Sequence, residues 1–243
     1  MEIKPYLLNY IKNTGKGGGH TPTGTINITE NGIVDVTNYA SANVNVSSDI
    51  LITNCKYLFQ SNARLENIND LLPMCKPTRA DNMFSSSSNL TEIPLFDTSN
   101  CTRFSEFASY CSNLTSISLI DTSNAEYTDL MFGYCTKLKT IPQLNFDNAF
   151  NIRQMFQNCT SLENVPVLSF SKVIAGNANS MFGNCSSLTN ESLNNILATL
   201  LTMTRYYSNK TLREIGLSQT QAETCTTLSN WQACVNAGWT TGY

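Results

Sequence analysis

The chain has 243 residues, of which 14% are charged, and a formal net charge of −3. Its 15 Lys and Arg residues are scattered and form no basic run, so the electrostatic footprint of a nucleic-acid-binding protein is missing. A membrane-spanning helix requires about 18 consecutive apolar residues, and no stretch of the chain comes close to that length.

The first 19 residues predict an attachment segment. Residues 1–13 place four apolar side chains near helical spacing, which predicts a short amphipathic helix. They lack the continuous apolar region and the cleavage site of a secretory signal peptide. Residues 14–19 are rich in glycine and predict a flexible linker. A phosphate-binding loop is excluded because no strand precedes this segment, the G-x-x-x-x-G-K-[ST] spacing is absent, and Lys16 comes before the run of three glycines.

Residues 20–49 predict a small β module. Apolar and polar residues alternate from Ile26 onward, and the dipeptide Asn31-Gly32 is a strong hairpin signal. The pattern predicts a three-stranded meander over residues 24–46. Such a meander is too small to be stable alone, so it needs the rest of the chain, a copy of itself or a docking partner.

A phrase of about 24 residues then recurs five times. Its period, its L-x-x-[Ile/Val] core and its Cys/Asn slot are typical of leucine-rich repeats. We therefore predict an α/β solenoid of about 24-residue turns over residues 50–190, with a degenerate first turn around Phe59. The Met-Phe pair of each repeat predicts a short helical turn, and the L-x-x-[Ile/Val] segment predicts a strand. The anchor leucines, at steps of 24, 24, 24 and 26 residues, are Leu90, Leu114, Leu138, Leu162 and Leu188.

Four of the nine cysteines share one slot of the repeat, which suggests either a metal or disulfide array or a stack of small buried side chains. Side chains in a ladder point the same way and lie about 4.8 Å apart, whereas a disulfide brings its Cβ atoms to about 3.8 Å. No C-x-x-C motif or histidine pair accompanies them. We predict free, packed thiols and no cofactor or metal. The four residues are Cys111, Cys135, Cys159 and Cys185.

The pattern changes after the last leucine anchor, and residues 191–243 predict an α/β cap for the C-terminal end of the core. It would contain a helix over 192–203, a strand over 210–215 and a helical stretch over 218–237 that Ser229-Asn230 splits. Trp231 and Trp239 could form a carbohydrate platform, but packing within the cap is favoured.

The phrases NMFSSSSNLTEIPLFDTSN and MFGNCSSL resemble the BspA-type leucine-rich repeat over roughly residues 51–190. The D-T-S-N element is lost after Asp121, so the later repeats are expected to turn differently. Residues 24–46 are similar to a short β module common in structural proteins of tailed bacteriophages, and the closing AGWTTGY resembles the end of phage-encoded chains with this repeat. The resemblance implies surface binding or adhesion and supplies no catalytic residue.

Enzyme chemistry is disfavoured by the sequence. The single histidine, His20, lies in a Gly/Pro/Thr segment, so no nucleophile–His–acid constellation can form elsewhere. A paired-carboxylate site stays open, although stacked carboxylates without an aromatic cleft are more often solvated. The carboxylates that could face one another across turns are Glu66, Glu92, Asp97, Asp121 and Glu163.

Three functional hypotheses remain. The first is a phage virion accessory protein, in a tail, baseplate or head fibre, that is joined to other virion proteins through its N-terminal segment, forms a homotrimer and binds a host-surface glycan or protein. The second is a bacterial cell-surface adhesin. The third is an intracellular phage protein-interaction module. The first places the protein in the virion.

The candidate binding face follows from the alternation within each repeat. If Leu and Ile or Val point inward, the residue before each Ile or Val points outward, once per turn. A column of short polar groups fits carbohydrate or a weak protein contact. The four residues are Glu92, Ser116, Thr140 and Asn164.

Overall fold

The computed structural model describes residues 26–28, 34–36, 52–61, 75–174, 177–203 and 210–243. Three predictions lie outside these residues: the helix over 1–13, the glycine linker over 14–19 and the third strand of the meander. The first two strands are present as β1 (Ile26–Ile28) and β2 (Val34–Val36). They pair antiparallel with Ile26 opposite Val36, as the alternation predicts.

Successive repeats lie side by side in a ladder of parallel backbone pairs. Strand β3 (Ile52–Asn54) pairs with β4 (Cys75–Arg79), and β5 (Glu92–Ile93) pairs with β6 (Ser116–Ile117). Because parallel pairing joins residues that occupy the same slot, like side chains form columns along the ladder. A second line of parallel bridges, in steps of 24 residues, joins Arg79, Arg103, Tyr127 and Asn151.

The Met-Phe segments are runs of hydrogen-bonded turns, so the predicted helical turn is wrong. In one repeat, Met131 N–H donates within the turn to Thr128 O at 3.2 Å, whereas Phe132 N–H donates to Met155 O of the next repeat at 2.9 Å. Two residues of this repeat, Leu130 and Tyr134, have φ angles of 54° and 64°. Two left-handed residues four positions apart prevent a helix from propagating through this segment. The same pair of left-handed positions recurs in six successive repeats.

The apolar core is built from columns of equivalent residues. The five anchor leucines are all buried, and Leu138 and Leu162 are fully so, as the register predicts. The phenylalanines of the Met-Phe pairs stack in the later repeats, with ring centroids 5.9 Å apart for Phe132–Phe156 and 5.6 Å apart for Phe156–Phe182. Stacked rings at this spacing add a specific contact to simple area burial.

All nine cysteines are buried, and the four in the shared slot are free thiols, as predicted. The four in the shared slot each donate an S–H bond to a carbonyl of the preceding repeat: Cys135 to Ala108 O and Cys159 to Phe132 O, both at 3.1 Å. In the repeat whose slot holds serine, the hydroxyl of Ser87 donates to Phe59 O at 2.6 Å. Serine and cysteine therefore fill this slot in the same way, because each is small and donates one hydrogen bond to the preceding repeat.

The D-T-S-N segment forms a turn whose backbone bond the later repeats keep, with Ala149 N–H donating to Phe146 O and Val173 N–H donating to Phe170 O. The side-chain cap persists at Asn145, whereas Ser169 in the following repeat donates its hydroxyl to Asp147. The Oδ1 atoms of Asp97, Asp121 and Asn145 accept the backbone N–H two residues on, at 3.2, 2.9 and 2.9 Å. Asparagine can replace aspartate in this role because both side chains offer the same acceptor oxygen. The expectation that the repeats after Asp121 turn differently is wrong.

Helix α1 (Asn190–Thr202) follows the last leucine anchor and covers the edge of the preceding repeat. Its Ser192, Thr199 and Thr202 hydroxyls accept the N–H groups of residues 165, 168 and 170, each at 2.9 Å. A covered edge cannot pair with another strand, which protects the ladder from edge-to-edge association.

The rest of the C-terminal region extends the ladder before two short helices. The predicted strand over 210–215 is wrong, because residues 212–216 form a turn whose Glu214 and Ile215 carbonyls accept the N–H groups of Ser180 and Phe182 at 2.7 and 2.8 Å. Helices α2 (Gln219–Cys225) and α3 (Trp231–Asn236) are split as predicted. Trp239 is 1% exposed, so it packs within this region.

Candidate functional site

The four residues of the predicted binding column are all exposed. Glu92 pairs with Ser116 in β5 and β6, and Thr140 forms a parallel bridge to Asn164. Within the described residues, no backbone bridge joins Ser116 to Thr140. The column therefore consists of two paired halves, both on the outside of the ladder.

A second exposed column, which the sequence reasoning missed, lies three residues further along each repeat. Leu95 and Leu119 are 68% and 60% exposed, and Val167 is 40% exposed, with Gln143 in the remaining slot. Strict alternation from Glu92 would place Leu95 on the inner side, so the alternation rule could not locate this column, and the pattern of exposure breaks at Pro94. We call the two columns together the exposed face. It combines the polar column with exposed apolar side chains in three of the four repeats.

The carboxylates near this face serve the fold. The Ser99 side chain and backbone N–H, together with Lys76, hold the pKa of Asp97 below its ordinary value. Lys76 Nζ lies 3.3 Å from Asp97 Oδ2. Asp121 caps its own turn in the same way, and Glu66 lies outside the described residues. Among the described carboxylates, the hypothesis of a paired catalytic site gains no support.

Asp81 is 4% exposed and bridges two repeats through arginines. Its Oδ2 lies 3.0 Å from Arg79 Nε and its Oδ1 lies 3.3 Å from Arg103 Nε. The Arg103 guanidinium also lies over the Tyr127 ring, 4.2 Å from its centroid. These contacts lie along the line of parallel bridges described above, and they hold neighbouring repeats together.

In four successive repeats, the second left-handed position carries either a tyrosine ring or an asparagine amide, and these side chains form a column. Tyr110 and Tyr134 stack with centroids 4.4 Å apart and an interplanar angle of 11°. In the next two repeats the same slot holds Asn158 and Asn184, whose amides hydrogen-bond at 2.9 Å. This column ends at a cleft of about 610 Å³ between the last repeat and the C-terminal region. A smaller hollow of about 270 Å³ lies beside Asn164, where α1 begins.

The buried thiols are poor nucleophiles and metal ligands. Burial raises the pKa values of the Cys111 and Cys185 thiols to about 12, and it raises those of Cys135 and Cys159 well above the ordinary value. The reactive thiolate is therefore disfavoured at neutral pH. In the described ranges, no group of three or more His, Cys, Asp or Glu residues could hold a metal ion. No helix in those ranges is long and apolar enough to cross a membrane.

Comparison with known proteins gives one family. A family model described as "Mycoplasma protein of unknown function, DUF285" matches residues 53–168 and again residues 78–196. The two matches overlap and together span residues 53–196, which is 144 of the 243 residues. No curated protein and no solved structure matches the chain. The chain belongs to the DUF285 family, a family of BspA-like repeat proteins.

Proposed function

We propose that this protein acts by binding, without catalysis, and that it is a phage virion accessory protein of a tail, baseplate or head fibre. Its repeats would present the exposed face to a host-surface glycan or protein. The observation that carries the binding role is the alignment of exposed Leu95, Leu119 and Val167 beside the polar column. Large apolar side chains held outside a core at regular intervals mark an interaction surface.

The chemistry of the exposed face supports a neutral or weakly polar partner. Ser116, Thr140 and Asn164 supply uncharged hydrogen-bonding groups, and Glu92 supplies the single charge of the polar column. Leucine side chains three residues away offer the apolar contact that excludes water around such hydrogen bonds. A glycan or a protein surface provides both kinds of contact, whereas a polyphosphate ligand would require a cluster of cations.

We also propose that the ladder belongs to the leucine-rich-repeat solenoid class over residues 50–190, with a β meander before it and an α/β cap after it. The near-constant step of the leucine anchors supports this class. So do the parallel pairs and bridges that join equivalent residues of neighbouring repeats. A solenoid in which each repeat contacts its neighbours suits a display role, because the outward side chains are spaced by the backbone itself.

Attachment to the virion is assigned to residues 1–46. A helix of about 13 residues is marginal in water, and a meander of this size needs a partner. The resemblance of residues 24–46 to a β module of phage structural proteins supports the virion as that partner, with a homotrimer as the assembled form. Deletion of residues 1–46 should leave a folded protein that no longer co-sediments with particles. A truncated chain that still co-sediments would contradict the assignment.

The binding role is tested with the full-length chain carrying Leu95→Arg and Leu119→Arg. Both side chains are exposed, so the thermal midpoint should stay unchanged while adsorption to host cells and retention on glycan and protein arrays fall at least about tenfold. The matched control is Gln232→Arg with Asn236→Arg, which adds the same charge at exposed positions of α3. Unchanged adsorption by the folded Leu95/Leu119 variant would move the site off the exposed face.

A second candidate is a bacterial cell-surface adhesin, which the family's description as a Mycoplasma protein favours. Mass spectrometry of purified phage particles and of washed cell envelopes from the same culture separates the two. Enrichment in particles supports the virion role, and enrichment in envelopes supports the adhesin. Recovery in the soluble fraction alone would favour an intracellular interaction module.

A further inference from the structure

The cleft between the last repeat and the C-terminal region has the dimensions of a ligand site. Its volume of about 610 Å³ lies within the range of about 300–1,000 Å³ typical of small-molecule pockets. One wall comes from the repeats, through Thr160, Asn184 and Ser186. The opposite wall comes from the C-terminal region and includes Arg213 and Tyr243. The cleft lies outside the two columns of the exposed face.

Hydrogen bonds hold the two walls in place without a ligand. Gln221 Nε2 donates to Cys185 O across the cleft at 2.7 Å, and the Tyr243 hydroxyl donates to Leu217 O at 2.5 Å. The floor is fixed by Gly216, which has a φ of 94°. A Cβ at this position would lie 2.5 Å from Gly183 N, so no larger residue fits there. The cleft is therefore preorganised, which lowers the entropic cost of binding.

Arg213 gives the cleft its charge. It has the single charged side chain among the residues that line the cleft. Within the described residues it makes no ion pair, and its neighbour Glu214 does not approach it within ion-pair distance. Its guanidinium lies 5.6 Å from the centroid of the Tyr243 ring. An exposed guanidinium without a carboxylate partner, beside a ring, is suited to an anionic group of planar geometry.

We propose that this cleft binds an acidic saccharide unit. The ligand's carboxylate would pair with Arg213, and its apolar ring face would contact Tyr243. The remaining lining groups are mostly hydroxyls and amides, among them Thr160, Ser186 and Asn184, which match the alternating donors and acceptors of sugar hydroxyls. Each of these three side chains already donates a hydrogen bond to the neighbouring repeat, so its oxygen atom can serve as an acceptor for a sugar hydroxyl. This site is separate from the exposed face and does not depend on the function proposed for that face.

The test measures binding of three probes to the full-length chain by ligand-observed NMR: glucuronic acid, glucose and inorganic phosphate. Glucuronic acid should bind most tightly, because it alone satisfies both the guanidinium and the hydroxyl-rich wall. Arg213→Gln should weaken its binding at least about tenfold, since a charge-assisted bidentate pair is lost. Rising salt should weaken the wild-type interaction, because the guanidinium is exposed.

The matched control is Arg153→Gln, which removes the same charge from an exposed arginine of another repeat. It should leave glucuronic acid binding unchanged, and both variants should keep the wild-type thermal midpoint. Equal binding of glucose and glucuronic acid would overturn the role of Arg213. Equal binding of phosphate and glucuronic acid would overturn the saccharide assignment. Absence of binding by all three probes would overturn the site, whatever the outcome of the Leu95/Leu119 experiment.

Discussion

Two halves of the ladder close the same turn with different interior contacts. In the earlier repeats, the hydroxyls of Thr98 and Thr122 donate to the carbonyls of Asp121 and Asn145 in the next repeat, at 2.8 and 2.6 Å. In the later repeats, the same slot holds Phe146 and Phe170, whose rings stack with centroids 5.5 Å apart. All four side chains are buried. The turn's backbone is therefore compatible with either a hydrogen bond or a ring stack.

The junction between the halves shows why this exchange is tolerated. Thr122 Oγ1 donates to Asn145 O and also accepts the Asn145 N–H at 3.0 Å. Phe146 follows directly, and its side chain has no polar group. One hydroxyl thus satisfies both backbone groups of the residue before the first phenylalanine. At this boundary the column therefore changes from hydroxyls to rings without leaving the backbone of Asn145 unpaired.

The largest expected effect on stability comes from removing one ring of the stacked pair in the later repeats. Phe146→Ala should lower the free energy of unfolding by about 3–5 kcal/mol, because it leaves a cavity against Phe170 in a fully buried column. Urea denaturation measures this change. The half-buried Phe150, which makes an edge contact with Tyr127, supplies the control, and Phe150→Ala should cost clearly less. Equal midpoints for the two variants would refute the stacking role of the column.

The threonine hydrogen bonds of the earlier repeats should contribute less stability than the ring stack, and their contribution should depend on the hydroxyl group. Thr122→Val keeps the shape and leaves the N–H and C=O of Asn145 without their partner, at an expected cost of about 1–3 kcal/mol. Thr122→Ser retains the hydroxyl and should recover most of the loss. Denaturant midpoints for both variants measure the difference. If valine and serine are equally tolerated, the double hydrogen bond contributes nothing and the comparison of the two halves fails.

Some of this architecture follows from sequence and some does not. The spacing of Leu138 and Leu162 determined their burial, because a fixed period places equivalent side chains in one column. The free thiols followed from the same column argument. The left-handed backbone at Leu130 and Tyr134 could not be foreseen, since neither residue favours positive φ and stacking between repeats imposes it.

The candidate site was only half predicted. The alternation rule located the exposed Glu92 and Asn164, yet Leu95 and Leu119 were passed over because leucines in a repeat suggest core. The cleft was not foreseeable at all. Arg213 reaches the last repeat only because the segment around it continues the ladder after α1, and no local pattern encodes that return.

The buried thiols predict a pH dependence of stability, which is an effect of intermediate size. Burial raises the pKa of the Cys111 thiol from its ordinary value of 9.0 to about 12, so on raising the pH the unfolded state loses this proton first. The stability contributed by the buried, protonated thiol is thus complete below about pH 9 and is lost as pH rises toward 12. The contribution of one such thiol to the free energy of unfolding should fall by about 1.4 kcal/mol per pH unit across that window.

Replacing the thiol separates this contribution from other alkaline titrations. Ser87 occupies the equivalent slot and makes the equivalent bond, so Cys111→Ser follows a substitution that the ladder already contains. The difference between the denaturation midpoints of wild type and variant should be smaller at pH 11 than at pH 8 or at neutral pH. Only the wild type has the Cys111 thiol proton to lose. Parallel pH profiles would show that the thiol is accessible in the folded state.

The smallest expected effect concerns Ser112, the residue next to this thiol. Its backbone is part of the ladder, since Ser112 N–H donates to Tyr110 O at 3.0 Å and Ser112 O accepts the Thr136 hydroxyl at 3.3 Å. Both contacts use main-chain atoms, which alanine retains. Ser112→Ala should therefore change the free energy of unfolding by no more than about 0.5 kcal/mol in urea. A loss comparable to that of Thr122→Val would mean that side chains beside the Cys column, and not only those within it, determine how the repeats stack.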